Sequence, residues 1–96
     1  MSIMQIASAL SSETRLKLIR IISNNQLSAV EAFKIYNKTY NEKKHRETIY
    51  RELEILVKSN ILNKSYLKNK KKIVYELVSE KIIFDLLKNQ IEFKKR

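Results

Sequence analysis

Arg46, Thr48, Tyr50 and Arg51 stand close together at the head of the run TIYRELEILVKSNIL, residues 48–62. A guanidinium can donate two parallel hydrogen bonds to guanine O6 and N7, and a threonine hydroxyl can bond several base edges. His45 precedes them, and Lys43 and Lys44 suit phosphate oxygens. A second group follows at Lys64, Lys68, Lys70, Lys71 and Lys72, with no acid anywhere between 64 and 72. Ammonium groups at that density neutralise phosphates without reading sequence. Base-edge donors beside a phosphate-binding cluster make the chemistry of duplex DNA recognition.

Those side chains need elements to hold them. Ile49, Leu53, Leu56 and Val57 recur at helical spacing, so a helix over 44–59 presents Thr48, Tyr50 and Arg51 outward with His45 and Arg46 in its first turn. Asn60 replaces the usual glycine after it. Residues 61–67 and 72–78 read as a hairpin with Asn69 at the turn. Upstream, Ser2 with Gln5 caps a helix over 3–10 whose face is Ile3, Ile6, Ala7 and Leu10. Ser12 caps a helix to about Ser23, with Leu16, Ile19 and Ile22 inward and Asn24 or Asn25 as its left-handed stop. Leu27 is a short extended point. Ser28 and Glu31 open a helix to about Lys38, buried along Ala29, Ala32, Phe33 and Tyr36, and 37–44 is a polar turn. Ser79 then caps a last helix to Phe93, apolar at Ile82, Ile83, Leu86, Leu87 and Ile91 and widened by Phe84 and Phe93. Lys94, Lys95 and Arg96 follow as a solvated tail. The expected fold is mainly α with a small β-hairpin wing, an α+β winged helix-turn-helix. It has five helices in the order α-α-(short β)-α-α-β-β-α, and a single domain spans 1–96.

Composition narrows the function. The formal charge is +10, from 20 Lys+Arg against 10 Asp+Glu, which calls for a polyanionic partner. Between Lys43 and Lys72 ten basic residues meet three acids, so most of that excess falls on the proposed interface. With no cysteine and one histidine, disulfides and thiolate metal sites are excluded, and no metal site or cofactor is expected. The absence of glycine also removes phosphate-cradling loops. His45 and Asp85, the lone histidine and lone aspartate, assemble no nucleophile–base set, so no enzyme is expected. No apolar run approaches the length of a membrane span, and a signal-peptide layout is lacking, which points to a cytoplasmic, nucleoid-associated protein without membrane contact. The excess of Lys, Ile and Asn fits an AT-rich coding sequence of the kind some archaea and their viruses carry.

Each signal has a plainer alternative. The outer face of the 44–59 helix could be merely solvated, with Glu–Lys pairs worth tenths of a kcal/mol each. The lysine run could serve solubility or protect a strand edge. Glu47, Glu52 and Glu54 oppose DNA unless they point away. The alternative for the whole unit is a winged-helix protein–protein module or a non-specific nucleic-acid binder. The terminal helices could complete the monomer core. Their apolar surface at Ile3, Ile6, Leu10, Ile83, Leu86, Leu87 and Ile91 would otherwise form a two-fold homodimer interface that sets two recognition helices ~34 Å apart.

The segment ALSSETRLKLIR, residues 9–20, resembles the second helix of ArsR-type repressors, with its Ala-Leu-x-(Asp/Ser)-x-Thr-Arg pattern. Residues 48–62 are similar to that family's recognition helix and exit, and 72–77 to its second wing strand, with Tyr75 and Leu77 at core positions. The resemblance implies the winged fold and dimeric double-stranded DNA binding by a repressor. It does not carry over the family's cysteine metal motif, which this sequence lacks.

Overall fold

The computed structural model describes residues 2–95; Arg96, grouped above with the solvated tail, lies outside them. Four helices come first: α1 (Ile3–Leu10), α2 (Glu13–Ile22), α3 (Ala29–Tyr40) and α4 (Arg46–Lys58). Two antiparallel hairpins follow, β1 (Leu62–Leu67) with β2 (Lys72–Leu77), and β3 (Ser79–Asp85) with β4 (Gln90–Lys95). The fold is α+β. Serine starts the first three helices as the sequence implies. Ser2 and Gln5 close one capping box, Ser28 and Glu31 another, and the Ser12 hydroxyl accepts from the Arg15 amide. His45 is the N-cap of α4 and makes no side-chain cap bond.

The core gathers one stripe from each helix. Leu18, Ile22, Ala32, Tyr36, Ile49, Leu53 and Leu56 are all buried against Ile61, Leu62 and Tyr75. Leu27 joins the wing as a single extended residue, exchanging backbone hydrogen bonds of 2.7 and 3.1 Å with Tyr75. This pairing anchors the wing to the segment between α2 and α3, so β1–β2 is no free ribbon. Glu31 at the start of α3 also holds Lys72 at 3.1 Å.

Several expectations change. The fifth helix does not form: residues 79–95 make the β3–β4 hairpin, with Ile82 opposite Phe93 and Phe84 opposite Ile91. Alternation, not a helical stripe, governs this segment, because Ile82, Phe84, Ile91 and Phe93 share one sheet face. Leu86 and Leu87, which completed the apparent helical period, lie in the turn at 80% and 99% exposure. Asp85 accepts from the Lys88 amide at 3.0 Å and Asn89 takes a left-handed conformation, φ 54°, closing that turn. In the first hairpin Asn69 does lie in the turn, whose left-handed residue is Lys71, φ 50°. Asn60, φ 60°, does take the glycine role after α4.

The helix faces rotate as well. Leu18 replaces Leu16 as the buried residue of α2, and Ala9 replaces Ala7 in α1. α2 stops on Ser23 in a right-handed conformation, with no left-handed asparagine. α3 runs one half-turn further than expected, to Tyr40, and Asn41 caps it at φ 52°. The polar turn before α4 is correspondingly short.

Candidate nucleic-acid interface

α4 presents its outer side to solvent through Arg46, Glu47 and Arg51, all exposed, while Tyr50 and Thr48 are half-buried. His45 and Lys43 are exposed just ahead of it, and Lys44 is half-buried. The Arg46 guanidinium lies over the Phe33 ring at 5.6 Å, which holds it beside the helix start without consuming its donors. The inner side of the same helix, Ile49, Leu53 and Leu56, is fully buried. One helix therefore carries both the seat and the reading edge.

Asn37 fixes where that helix begins. Its side-chain oxygen accepts from the Lys44 amide at 2.9 Å, and its side-chain nitrogen donates to the Lys44 carbonyl at 3.1 Å. Glu42, in the same turn, takes hydrogen bonds from Lys17 at 2.6 Å and the Tyr36 hydroxyl at 3.2 Å. On the far side of α4, Arg15 reaches Glu52 while also donating to the Ala9 carbonyl at 2.7 Å. α1, α2 and α4 are thus stapled at one guanidinium.

The wing lies beside the reading edge. Glu54, one turn after Tyr50 and Arg51, accepts from the Tyr75 hydroxyl at 2.7 Å and pairs with Lys64 at 3.0 Å. Lys68, Lys70 and Lys71 stand exposed at the hairpin tip. The twelve DNA-contact candidates therefore divide. Lys43, His45, Arg46 and Arg51 stand exposed along the start and outer edge of α4, and Lys68, Lys70 and Lys71 crown the wing. Lys44, Lys64 and Lys72 are partly committed to Glu42, Glu54 and Glu31, and Thr48 and Tyr50 sit at the rim. Sequence reading missed the partners Asn37, Glu42, Glu52 and Glu54. Their longest contacts, Lys17–Glu42, Arg15–Glu52 and Tyr75–Glu54, span 25, 37 and 21 residues along the chain, and no local spacing announces them.

Glu42 and Glu54 gain favourable partners on folding. The Lys17 ammonium holds the Glu42 carboxyl below its ordinary range, and the Tyr75 hydroxyl followed by Lys64 does the same for Glu54. Lys17 is raised in turn, chiefly by Glu42 and then by Glu13. Burial, then Glu54, raises the Tyr75 phenol. Carboxylates lowered in the folded state contribute stability that is present above their unfolded values and is lost as pH falls through the folded ones. Thermal melts should therefore stay flat from neutral pH to about 5 and drop below roughly pH 4–5, the ordinary glutamate range. Glu42→Gln should lower the melting temperature at pH 7 and flatten part of that acid decline; an unchanged acid limb would remove the Lys17–Glu42 pair from the account.

Four helices with a β-hairpin held against the last of them, and basic side chains along that helix and hairpin tip, define a small helix-turn-helix protein compatible with the winged class. Comparison sharpens this. The sequence model of the ferric uptake regulator family matches residues 8–95, and the chain belongs to that family, whose members are DNA-binding transcription regulators. The fold recurs in a zinc-bound manganese uptake regulator, at 16% identity over 96% of this chain and 76% of that one, TM-score 0.64. It recurs in the ferric uptake regulator of Vibrio cholerae, at 19% identity over 95% and 74%, TM-score 0.63. The iron-containing regulator of Francisella tularensis covers 84% of this chain and 64% of its own at 22% identity, TM-score 0.59. No curated protein matches the sequence closely.

The family match overturns the ArsR resemblance. The segments that carried that resemblance lie in the helices and the first hairpin, whereas the family match runs on through β3 and β4. Neither bacterial relative lends support to an archaeal or viral source.

The names of these relatives imply a transition metal, and the donor set here does not fit one. The sequence holds no cysteine and one histidine. Among the described residues no group of three or more His, Asp or Glu side chains is placed to hold an ion. His45 stands alone and exposed at the start of α4. Nor is any helix among the described residues long and apolar enough to cross a membrane.

Proposed function

We propose that this chain is a sequence-specific double-stranded DNA-binding transcription regulator, acting as a repressor and without catalysis, in the cytoplasm. The single observation that carries the reading is the start of α4. Exposed Arg46 and Arg51 ride on a helix whose inner side is fully buried and whose lead-in residue Lys44 is pinned by Asn37, so donors reach bases from a rigid base. The lysine tip of the wing supplies phosphate contacts beside it. The Vibrio cholerae regulator, which shares this fold, has DNA-binding domains, and that supports the same use of the fold here.

A homodimer completes the proposal. Two-stranded hairpins are marginal alone, and β3–β4 exposes Ile83 at 42%, Phe84 at 37% and the turn residues Leu86 and Leu87 almost entirely. A second copy covering this apolar surface would place two α4 helices on successive turns of one DNA face. Leu86 and Leu87 in the turn stay in this interface with Phe84 and Ile91 on one sheet face, while Ile83 lies on the opposite face of the hairpin. Ile6 leaves it, being fully buried within the monomer, and Leu10 packs on the monomer core.

Fluorescence anisotropy on duplex DNA from upstream of the gene, against a scrambled duplex at several salt concentrations, tests the reading. A dimer neutralising ~8 phosphates gives log K falling against log salt with a slope of about −7, with the upstream duplex bound far more tightly. Equal affinity for both duplexes would reduce the protein to a non-specific binder. An absence of binding at low salt would favour a protein–protein module. Sedimentation of Leu86→Asp/Leu87→Asp should show a monomer where the parent chain shows a dimer; an unchanged mass would move the interface elsewhere.

A further inference from the structure

We propose that this chain occupies its DNA without a divalent transition metal as co-repressor: direct side-chain contacts hold its reading helix and wing in place. The inference rests on the DNA-binding reading above and departs from what the names of its relatives suggest. First-row divalent ions need several converging imidazole, thiolate or carboxylate donors. Here the one imidazole stands exposed at the start of α4. The carboxylates are already engaged. Glu31 holds Lys72, Glu42 holds Lys17, Glu52 holds Arg15, Glu54 holds Lys64 and Tyr75, and Glu92 holds Lys94. Glu13 shares Lys17, Glu76 accepts from Gln26, and Asp85 accepts from a backbone amide. That leaves Glu47 on α4 and Glu80 on β3, on separate elements. A dication recruiting any of the others would have to strip a carboxylate from its ammonium or guanidinium partner, in a chain whose net charge is +10.

The elements of the interface are already held by contacts within the protein. Asn37 sets the start of α4, Glu42 locks the turn before it, Arg15 staples its back to α1, and Glu54 with Leu27 fixes the wing. The reading geometry is built into the fold.

The test uses the full chain in three arms: anisotropy on the upstream duplex, thermal melting, and equilibrium dialysis, each with chelator and with excess Mn(II), Zn(II) or anaerobic Fe(II). The expected result is an affinity constant within about twofold in all conditions, an unmoved melting temperature and no stoichiometric metal retained. Tightening on DNA of about tenfold or more with any one ion, a melting temperature raised by several degrees, or one metal per chain surviving dialysis would overturn the proposal. If no condition gives DNA binding, the functional reading fails, while melting and dialysis still decide the metal question. Asn37→Ala gives a second check, since its loss of DNA affinity should be the same with metal as with chelator. Rescue by metal would again overturn the proposal.

Discussion

The Arg46→Ala/Arg51→Ala double variant should bind its specific duplex roughly 30- to 20,000-fold more weakly than the parent while melting almost unchanged. Each well-placed arginine–base contact is worth about 1–3 kcal/mol of discrimination, and the two side chains are far enough apart along α4 to contribute separately. Their folded-state roles are small by comparison. Arg51 is exposed, and Arg46 makes one exposed contact over Phe33, worth about 0.5–1 kcal/mol. Specificity should fall with affinity, so the ratio between upstream and scrambled duplex shrinks. The wing predicts a different signature. Replacing Lys68, Lys70 and Lys71 by alanine should weaken both duplexes alike and lessen the dimer's salt slope by about 5, because six lysines are lost per dimer and each releases close to one counterion. A double arginine variant that loses affinity equally for both duplexes would assign α4 to phosphates and leave sequence readout without a source.

The parts of this interface that were legible in the sequence are those encoded locally. Serine caps at Ser2, Ser12 and Ser28, the inward stripe Ile49–Leu53–Leu56 and the lysine cluster follow from spacing along a few turns or strands. Asn60 was readable for the same reason: a helix end followed by an apolar strand demands a residue that tolerates positive φ. The C-terminal segment misled because its residues satisfy two periods at once. Ile82, Ile83, Leu86, Leu87 and Ile91 fit a helix, yet Ile82, Phe84, Ile91 and Phe93 fit a hairpin, and β-branched and aromatic side chains tip the balance.

What the sequence withheld altogether is the ion-pair scaffold. Glu52 and Glu54 look like ordinary members of helix-surface pairs, with lysines and arginines at plausible spacing on the same helix. In the fold they turn instead to Arg15 on α2 and to Tyr75 and Lys64 on the wing. Tertiary packing chooses among partners that local spacing leaves equivalent. The result matters for function, because it takes acids away from the reading edge. Of the three acids between 43 and 72, Glu47 alone remains exposed there.

Leu53→Ala should cost about 2–5 kcal/mol of stability, the range for deleting a fully buried leucine from a packed core. Leu53 has no exposed surface and sits midway along α4, between Ile49 and Leu56, where the helix meets the core built by α2, α3 and the wing. Small domains hold only about 5–15 kcal/mol in total, so the variant should melt roughly 10–30 °C lower by circular dichroism, at about 4–8 °C per kcal/mol. DNA affinity measured well below that temperature should stay within a few-fold of the parent, since the exposed arginines are untouched and the folded fraction remains high. This is the mirror image of the arginine variant. One side of α4 should report in stability and the other in binding, with little exchange between them. A Leu53→Ala protein that melted normally would show that α4 is not seated on this core. One that folded normally in the cold but lost DNA affinity outright would show that the seat also sets the angle at which Arg46 and Arg51 reach the groove.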